Sequence, residues 1–188
     1  SVVKAEYVAM LLGEHAGINV APVRMESAAG RDVLLVERFD RIPKGDQFQR
    51  KLMLSALTLF QLDEMYARYA SYEELTDLIR QKFHNPTQTL QELYRRMVFN
   101  ILCGNTDDHA RNHAAFYDGN ALELTPAYDI CPQNRSTGIA SQAMALIDGN
   151  NQSTLALCKK AAHKFNLTEV QANENIESLQ ETIRAHWD

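Results

Sequence analysis

Paired cysteines are missing from this sequence. Its 188 residues hold only Cys103, Cys131 and Cys158. That odd, widely spaced set without a Cys-x-x-Cys pair argues against a zinc or dithiol redox site and reads as reduced thiols of a cytoplasmic protein. Positive charge is also short: 19 Lys and Arg against 24 Asp and Glu leave a net charge of -5. That balance argues against a broad electrostatic hold on nucleic acid or on an anionic membrane surface. No apolar run approaches the roughly 18 residues of a membrane span, and no basic start leads into an apolar signal core. The Asn-x-Ser/Thr triplets at Asn151 and Asn166 therefore read as chance matches, not glycan acceptors. Neither an internal repeat nor a low-complexity tract is visible. What is present is a chain of one-domain length, 45% apolar, enough to bury a core. It starts at Ser1, directly in a helical pattern, and is expected to be a piece of a longer protein.

Apolar positions Val3, Tyr7, Met10 and Leu11 predict a first helix that stops at Gly17. Two Val- and Leu-rich runs, 20–26 and 32–39, separated by Ser27-Ala28-Ala29-Gly30, predict a hairpin with Val33 to Val36 buried on both faces. Asp40 to Arg50, with Pro43 and Gly45, reads as a linker or exposed loop. Helices are expected over 51–62, after the capping box Ser71-x-x-Glu74, and after Thr89-x-x-Glu92. The last of these carries the cleanest stripe: Leu90, Leu93, Tyr94, Met97, Val98, Ile101 and Leu102, a core face. Gly104 ends it and releases a polar loop, Asn105 to Asn112; Asp118-Gly119-Asn120 then marks a hairpin over 113–124. Two closing helices, about 154–165 and 168–187, complete an α+β body dominated by helix.

Phosphoryl transfer needs a carboxylate to orient the attacking hydroxyl and oxygen ligands to hold magnesium on the phosphates. In protein kinases an Asp is followed five residues later by an Asn, and a second Asp comes after a hairpin. Asp107, Asn112 and Asp129 have that order, and hard oxygen donors suit magnesium. Spacing alone equally fits an Asp pair that caps a helix or faces solvent.

The adjoining residues add a family resemblance. Gly104-Asn105-Thr106-Asp107-Asp108-His109-Ala110-Arg111-Asn112, then Leu124-Thr125-Pro126-Ala127-Tyr128-Asp129, with Val36-Glu37-Arg38-Phe39-Asp40-Arg41 upstream, resemble the signature of HipA-type toxin serine/threonine kinases. The resemblance implies one catalytic lobe of a kinase-like fold over 1–188, with a hinge-proximal helix and hairpin over 1–40 and a helical lobe over 41–188. It implies Asp107 as catalytic base, Asn112 and Asp129 as magnesium ligands, main-chain contacts of Glu37 to Phe39 with the adenine of ATP, and Asp40 near the ribose. Arg111 is as well read as a phosphate contact as a solvated loop arginine. His109 reads as an organiser of the loop, and Asp108 as a solvated carboxylate. The family's phosphate-covering loop and strand lysine have no counterpart here, so Lys4 keeps no role and Glu6 is left without a lysine partner. The chain alone is expected to be inactive. The resemblance further implies a protein substrate such as an aminoacyl-tRNA synthetase, and a DNA-binding antitoxin partner. Two other classes compete: a catalytically silent lobe that binds a partner protein, and a phosphohydrolase with a transition metal on His109, His113, Asp107 and Asp129.

Overall fold

The computed structural model describes residues 1–133 and 138–187. Helix α1, Val2–His15, turns Ala9, Met10, Leu12 and Gly13 inward. Gly13 is small for a reason: a Cβ there would lie 3.1 Å from Val20 and 3.5 Å from the Phe99 ring. Beyond the helix Gly17 takes φ +74, and the Ile18 amide returns to the Gly13 carbonyl at 3.0 Å, a left-handed stop. Strands β1, Val23–Ala28, and β2, Arg31–Val36, then form an antiparallel hairpin. Its turn residues Ala29 and Gly30 both have positive φ, the twist that two-residue hairpin turns require.

The expected burial of Val33 to Val36 on both faces is not seen. Among the described residues this hairpin pairs with no third strand, and Leu35 and Val36 stay 41% and 39% exposed. Nor is 40–50 a loop: β3, Arg41–Lys44, and β4, Gln47–Arg50, form a second hairpin through Gly45 at φ +59. The predicted helix over 51–62 shrinks to one turn, α2, Ala56–Leu59, capped by the Ser55 hydroxyl. Ahead of it, β5, Leu52–Ser55, is claimed by β6, Ala114–Tyr117, which also pairs with β7, Leu122–Leu124, in a three-stranded antiparallel sheet.

Helix α3, Tyr72–Lys82, starts under the predicted Ser71 cap. Helix α4, Pro86–Cys103, starts three residues before Thr89, with Pro86 in the first turn, where its missing N–H is no loss. The Thr89 hydroxyl donates back to the Asn85 carbonyl instead of capping. Leu90, Leu93, Tyr94, Met97, Val98, Phe99 and Ile101 of α4 are all buried. They join one cluster running from Ala9 to Leu179. Helix α5, Leu155–Ala161, a 3-10 turn over Ala162–Phe165, and α6, Glu169–Ala185, opened by the predicted Thr168–Gln171 capping box, close the other side of α4. With α4 packed on several sides, its polar residues Arg96 and Asn100 are buried too, and this places the site.

Leu93→Ala in α4 is expected to cost about 2–5 kcal/mol in urea denaturation, whereas Leu35→Ser on the open hairpin face should stay within about 1 kcal/mol. A loss below about 1 kcal/mol at Leu93 would contradict α4 as the centre of the core.

Candidate active site

Helix α4 ends at Gly104, φ +79, and the Asn105 amide closes back on the Asn100 carbonyl at 2.8 Å. The loop that follows is held by its own carbonyls. Thr106 accepts from the Ala143 amide at 3.1 Å, His109 from Asn112 at 2.9 Å, Ala110 from Leu57 at 3.3 Å and His113 from Ala56 at 2.7 Å. The Arg111 carbonyl accepts from the Tyr128 hydroxyl at 2.6 Å. With so many main-chain acceptors taken, both ends of the loop are tied to neighbouring elements.

Asp129 reaches the same place from the other direction. Residues ahead of it run beside the α1–β1 connection, Ala127 donating to Asn19 at 2.7 Å and accepting from Ala21 at 2.8 Å. After it, the Gln133 amide binds the Gly104 carbonyl at 3.0 Å. Asp129 itself sits at φ +58, a left-handed conformation that Asp tolerates better than most residues. The Asn112 side chain spans the gap: its Nδ2 lies 3.4 Å from the Asp107 carbonyl and 3.5 Å from the Asp129 carbonyl. These long contacts bring Asp107, Asn112 and Asp129 together and leave Oδ1 as the amide's atom for another partner.

The surroundings are acidic. Burial and the charge of Asp129 push the Glu6 carboxyl above its ordinary value. Burial, Glu6, Asp129 and Asp107 together raise the Cys131 thiol. Glu6, left without a role in the sequence, therefore belongs to this site by virtue of how α1 packs.

Other expected site residues are placed as follows. The Glu37 amide donates to the Pro22 carbonyl at 2.9 Å. The Phe39 ring packs on Tyr128 and Phe116, with centroids 5.5 and 6.1 Å away, tying the hinge segment to the stretch that carries Asp129. Asp40 accepts from Arg38 Nε and Nη2, at 2.7 and 2.6 Å, and that hydrogen bonding holds its carboxyl below the ordinary range. Arg111 is ion-paired with Glu64.

Asp108 is not the solvated carboxylate expected. It is 2% exposed, accepts from the Tyr72 hydroxyl, and its Oδ1 lies 2.9 Å from His113 Nε2. Burial alone would raise its pKa; His113, Tyr72 and Asn100 outweigh that and hold it below the ordinary 3.8. Nearby, Asn105 Nδ2 donates to Asn100 Oδ1 at 3.1 Å, and Arg96 bonds Glu92 at 2.8 Å and the Asn19 carbonyl at 3.1 Å. The sequence signal was the i, i+4 row Glu92, Arg96, Asn100 running beside the apolar stripe of α4. With His113 turned inward onto Asp108, it does not join His109, Asp107 and Asp129 around a transition metal. Among the described residues, no three His, Cys, Asp or Glu side chains are grouped for a metal.

An acidic loop ending a buried helix and facing a second acid beyond a hairpin defines the helical lobe of a kinase-like α+β fold. The chain belongs to the HipA-like C-terminal domain family, whose model matches residues 1–187. It is 29% identical over 160 residues to the serine/threonine-protein kinase toxin HipA of Shewanella oneidensis, covering 76% of this chain and 37% of that protein. Among solved structures, it superposes on a chain of the Shewanella oneidensis toxin-antitoxin complex of HipA, HipB and operator DNA. There the TM-score is 0.86 and the identity 22%, over 99% of this chain and 48% of that one. The proinflammatory kinase CtkA of Helicobacter pylori shares the fold at TM-score 0.65 and 13% identity, over 98% of this chain and 84% of that one. The chain spans less than half the length of the curated relatives it matches.

Asp108→Ala is expected to cost about 3–5 kcal/mol, since it strips a buried pair of one partner, whereas exposed Asp107→Ala should stay within about 0.5 kcal/mol. Because the folded pKa of Asp108 lies below 3.8, its contribution is complete above that pH and is lost as the pH falls through the folded value. Equal stability of the two variants in denaturant titrations at neutral pH would reject the buried pair.

Proposed function

We propose that this chain is the helical catalytic lobe of an ATP-dependent protein serine/threonine kinase of the HipA toxin type. The observation that carries the reading is the bridge of Asn112 between Asp107 and Asp129, 3.4 and 3.5 Å, within a lobe of that family. Magnesium fits what surrounds the bridge. The donors are hard oxygens, the Asn112 Oδ1 and the Asp129 carboxylate, two protein ligands of the kind magnesium takes when phosphates and waters fill the rest of its shell. Crowding of Glu6 against Asp129 is like-charge repulsion that a divalent cation would relieve. When bound, magnesium neutralises charge on the phosphates during transfer.

The chain's own residues supply the rest. Exposed Asp107, on a loop with few free main-chain acceptors, orients a substrate hydroxyl and accepts its proton. The Glu37 amide is engaged by Pro22, so its carbonyl and the Phe39 main chain are the groups for an adenine edge. Asp40 lies further along that segment as the ribose contact, already bonded to Arg38. Arg111 would reach phosphate by exchanging Glu64 for it, an exposed pair that costs little to break. The implied substrate is a cytoplasmic protein such as an aminoacyl-tRNA synthetase. The complex of the Shewanella relative with HipB and operator DNA supports a DNA-binding antitoxin as partner.

In the full-length protein, Asp107→Ala is expected to lower phosphate transfer to a synthetase by about 10²–10⁴-fold, and Asp129→Ala should abolish magnesium-dependent ATP binding in calorimetry. If the unaltered protein binds an antitoxin yet neither binds ATP nor transfers phosphate, it is a silent interaction lobe and the reading fails.

A further inference from the structure

Adjacent residues at the two ends of the loop make different contacts. Asp107 is exposed and Asp108 beside it is buried; Asn112 bridges toward Asp129 while His113 beside it turns into the interior. The two inward residues bond each other, Asp108 Oδ1 to His113 Nε2 at 2.9 Å, at 2% and 4% side-chain exposure. From this the geometry points to a staple: Asp108 and His113 are positioning residues that set the spacing and direction of Asp107 and Asn112. The inference rests on the roles given to Asp107 and Asn112 above.

Three features support it. First, neighbouring residues share a planar peptide unit, so anchoring one side chain of a pair limits where the backbone of the other can go. Second, the staple is anchored to elements outside the loop. Tyr72 at the start of α3 donates to Asp108 and stacks edge-on against the His113 ring, centroids 5.4 Å apart. The His113 carbonyl is held by the Ala56 amide at 2.7 Å. Third, a buried hydrogen-bonded pair tolerates little displacement, because separation leaves a desolvated donor and a desolvated acceptor unmatched. A loop closed only by main-chain bonds at its rim would still rock about its ends; a bond across its base stops that motion. Outer residues that orient a metal ligand typically change metal affinity or activity by roughly 10–100-fold when removed.

The test uses full-length protein with Asp108→Ala, His113→Ala, their double variant and the conservative Asp108→Asn, which keeps an acceptor for His113. Each is assayed at a temperature where circular dichroism shows it folded. For both alanine variants, kcat should fall and the manganese concentration for half-saturation of the nucleotide complex, read by electron paramagnetic resonance, should rise, each by roughly 10–100-fold. KM for the protein substrate should hold. The double variant should be no worse than the worse single one, because both break the same bond, and Asp108→Asn should retain most of the function. Multiplying losses, or unchanged manganese affinity and kcat in the folded variants, would overturn the staple. If Asp108→Ala does not fold, His113→Ala and Asp108→Asn still decide it: the staple needs the first to lose manganese affinity and the second to keep it. A wild-type protein that binds no metal nucleotide overturns the staple together with the kinase reading, whereas an active wild type with unaffected variants overturns the staple alone.

Discussion

One buried negative charge organises the lobe. An ionised carboxylate removed from water costs several kcal/mol unless donors replace its hydration, and Asp108 is given three: the Tyr72 hydroxyl, His113 Nε2 and the Asn100 side chain. Each donor commits a different part of the chain. Tyr72 must stand at the start of α3, where its own amide is fixed to the Ala145 carbonyl at 2.8 Å. Asn100 must lie in the last turn of α4, held by Asn105. His113 must enter β6 with its ring pointing inward, which sets the register that pairs Ser55 with Ala114 and Leu54 with Ala115. Satisfying one carboxylate thus links two helices and a sheet through a loop of a few residues.

That dependence explains what the sequence could and could not disclose. Features set by neighbours in the chain were legible: the Ser71 and Thr168 caps, the stripe of α4, the stop at Gly104, the hairpin over Asp118-Gly119-Asn120, and the order Asp107, Asn112, Asp129. Features set by distant partners were not. Nothing local distinguishes β5 from a helix, because its pairing residues lie about sixty positions later, Leu52 opposite Tyr117. Strand β4 is exposed along its whole length, so it carries no alternation to betray it. Asp108 and Asp107 look alike in sequence; partners such as Tyr72, 36 residues upstream, tell the buried one from the exposed one. Glu6 is a further case, joined to the site by the packing of α1 and not by any motif.

The two sides of the loop are built on opposite electrostatic principles. Beneath it, the buried charges are matched: Asp108 with His113 and Tyr72, Arg96 with Glu92 and a carbonyl. Above it, Glu6, Asp107 and Asp129 raise one another's neighbours, as the Glu6 carboxyl and the Cys131 thiol record. The matched interior is what makes the unmatched surface tolerable. Like charges near one another would drift apart on a mobile segment, but Asp129 lies in a left-handed conformation between hydrogen-bonded residues on both sides. The fold therefore supplies rigidity and withholds charge balance. A preorganised acidic focus of that kind stabilises a positive partner more than solvent could, because no reorientation is needed when the partner arrives. In that division of labour, the arrangement beneath the loop is the cause and the acidic face above it the consequence.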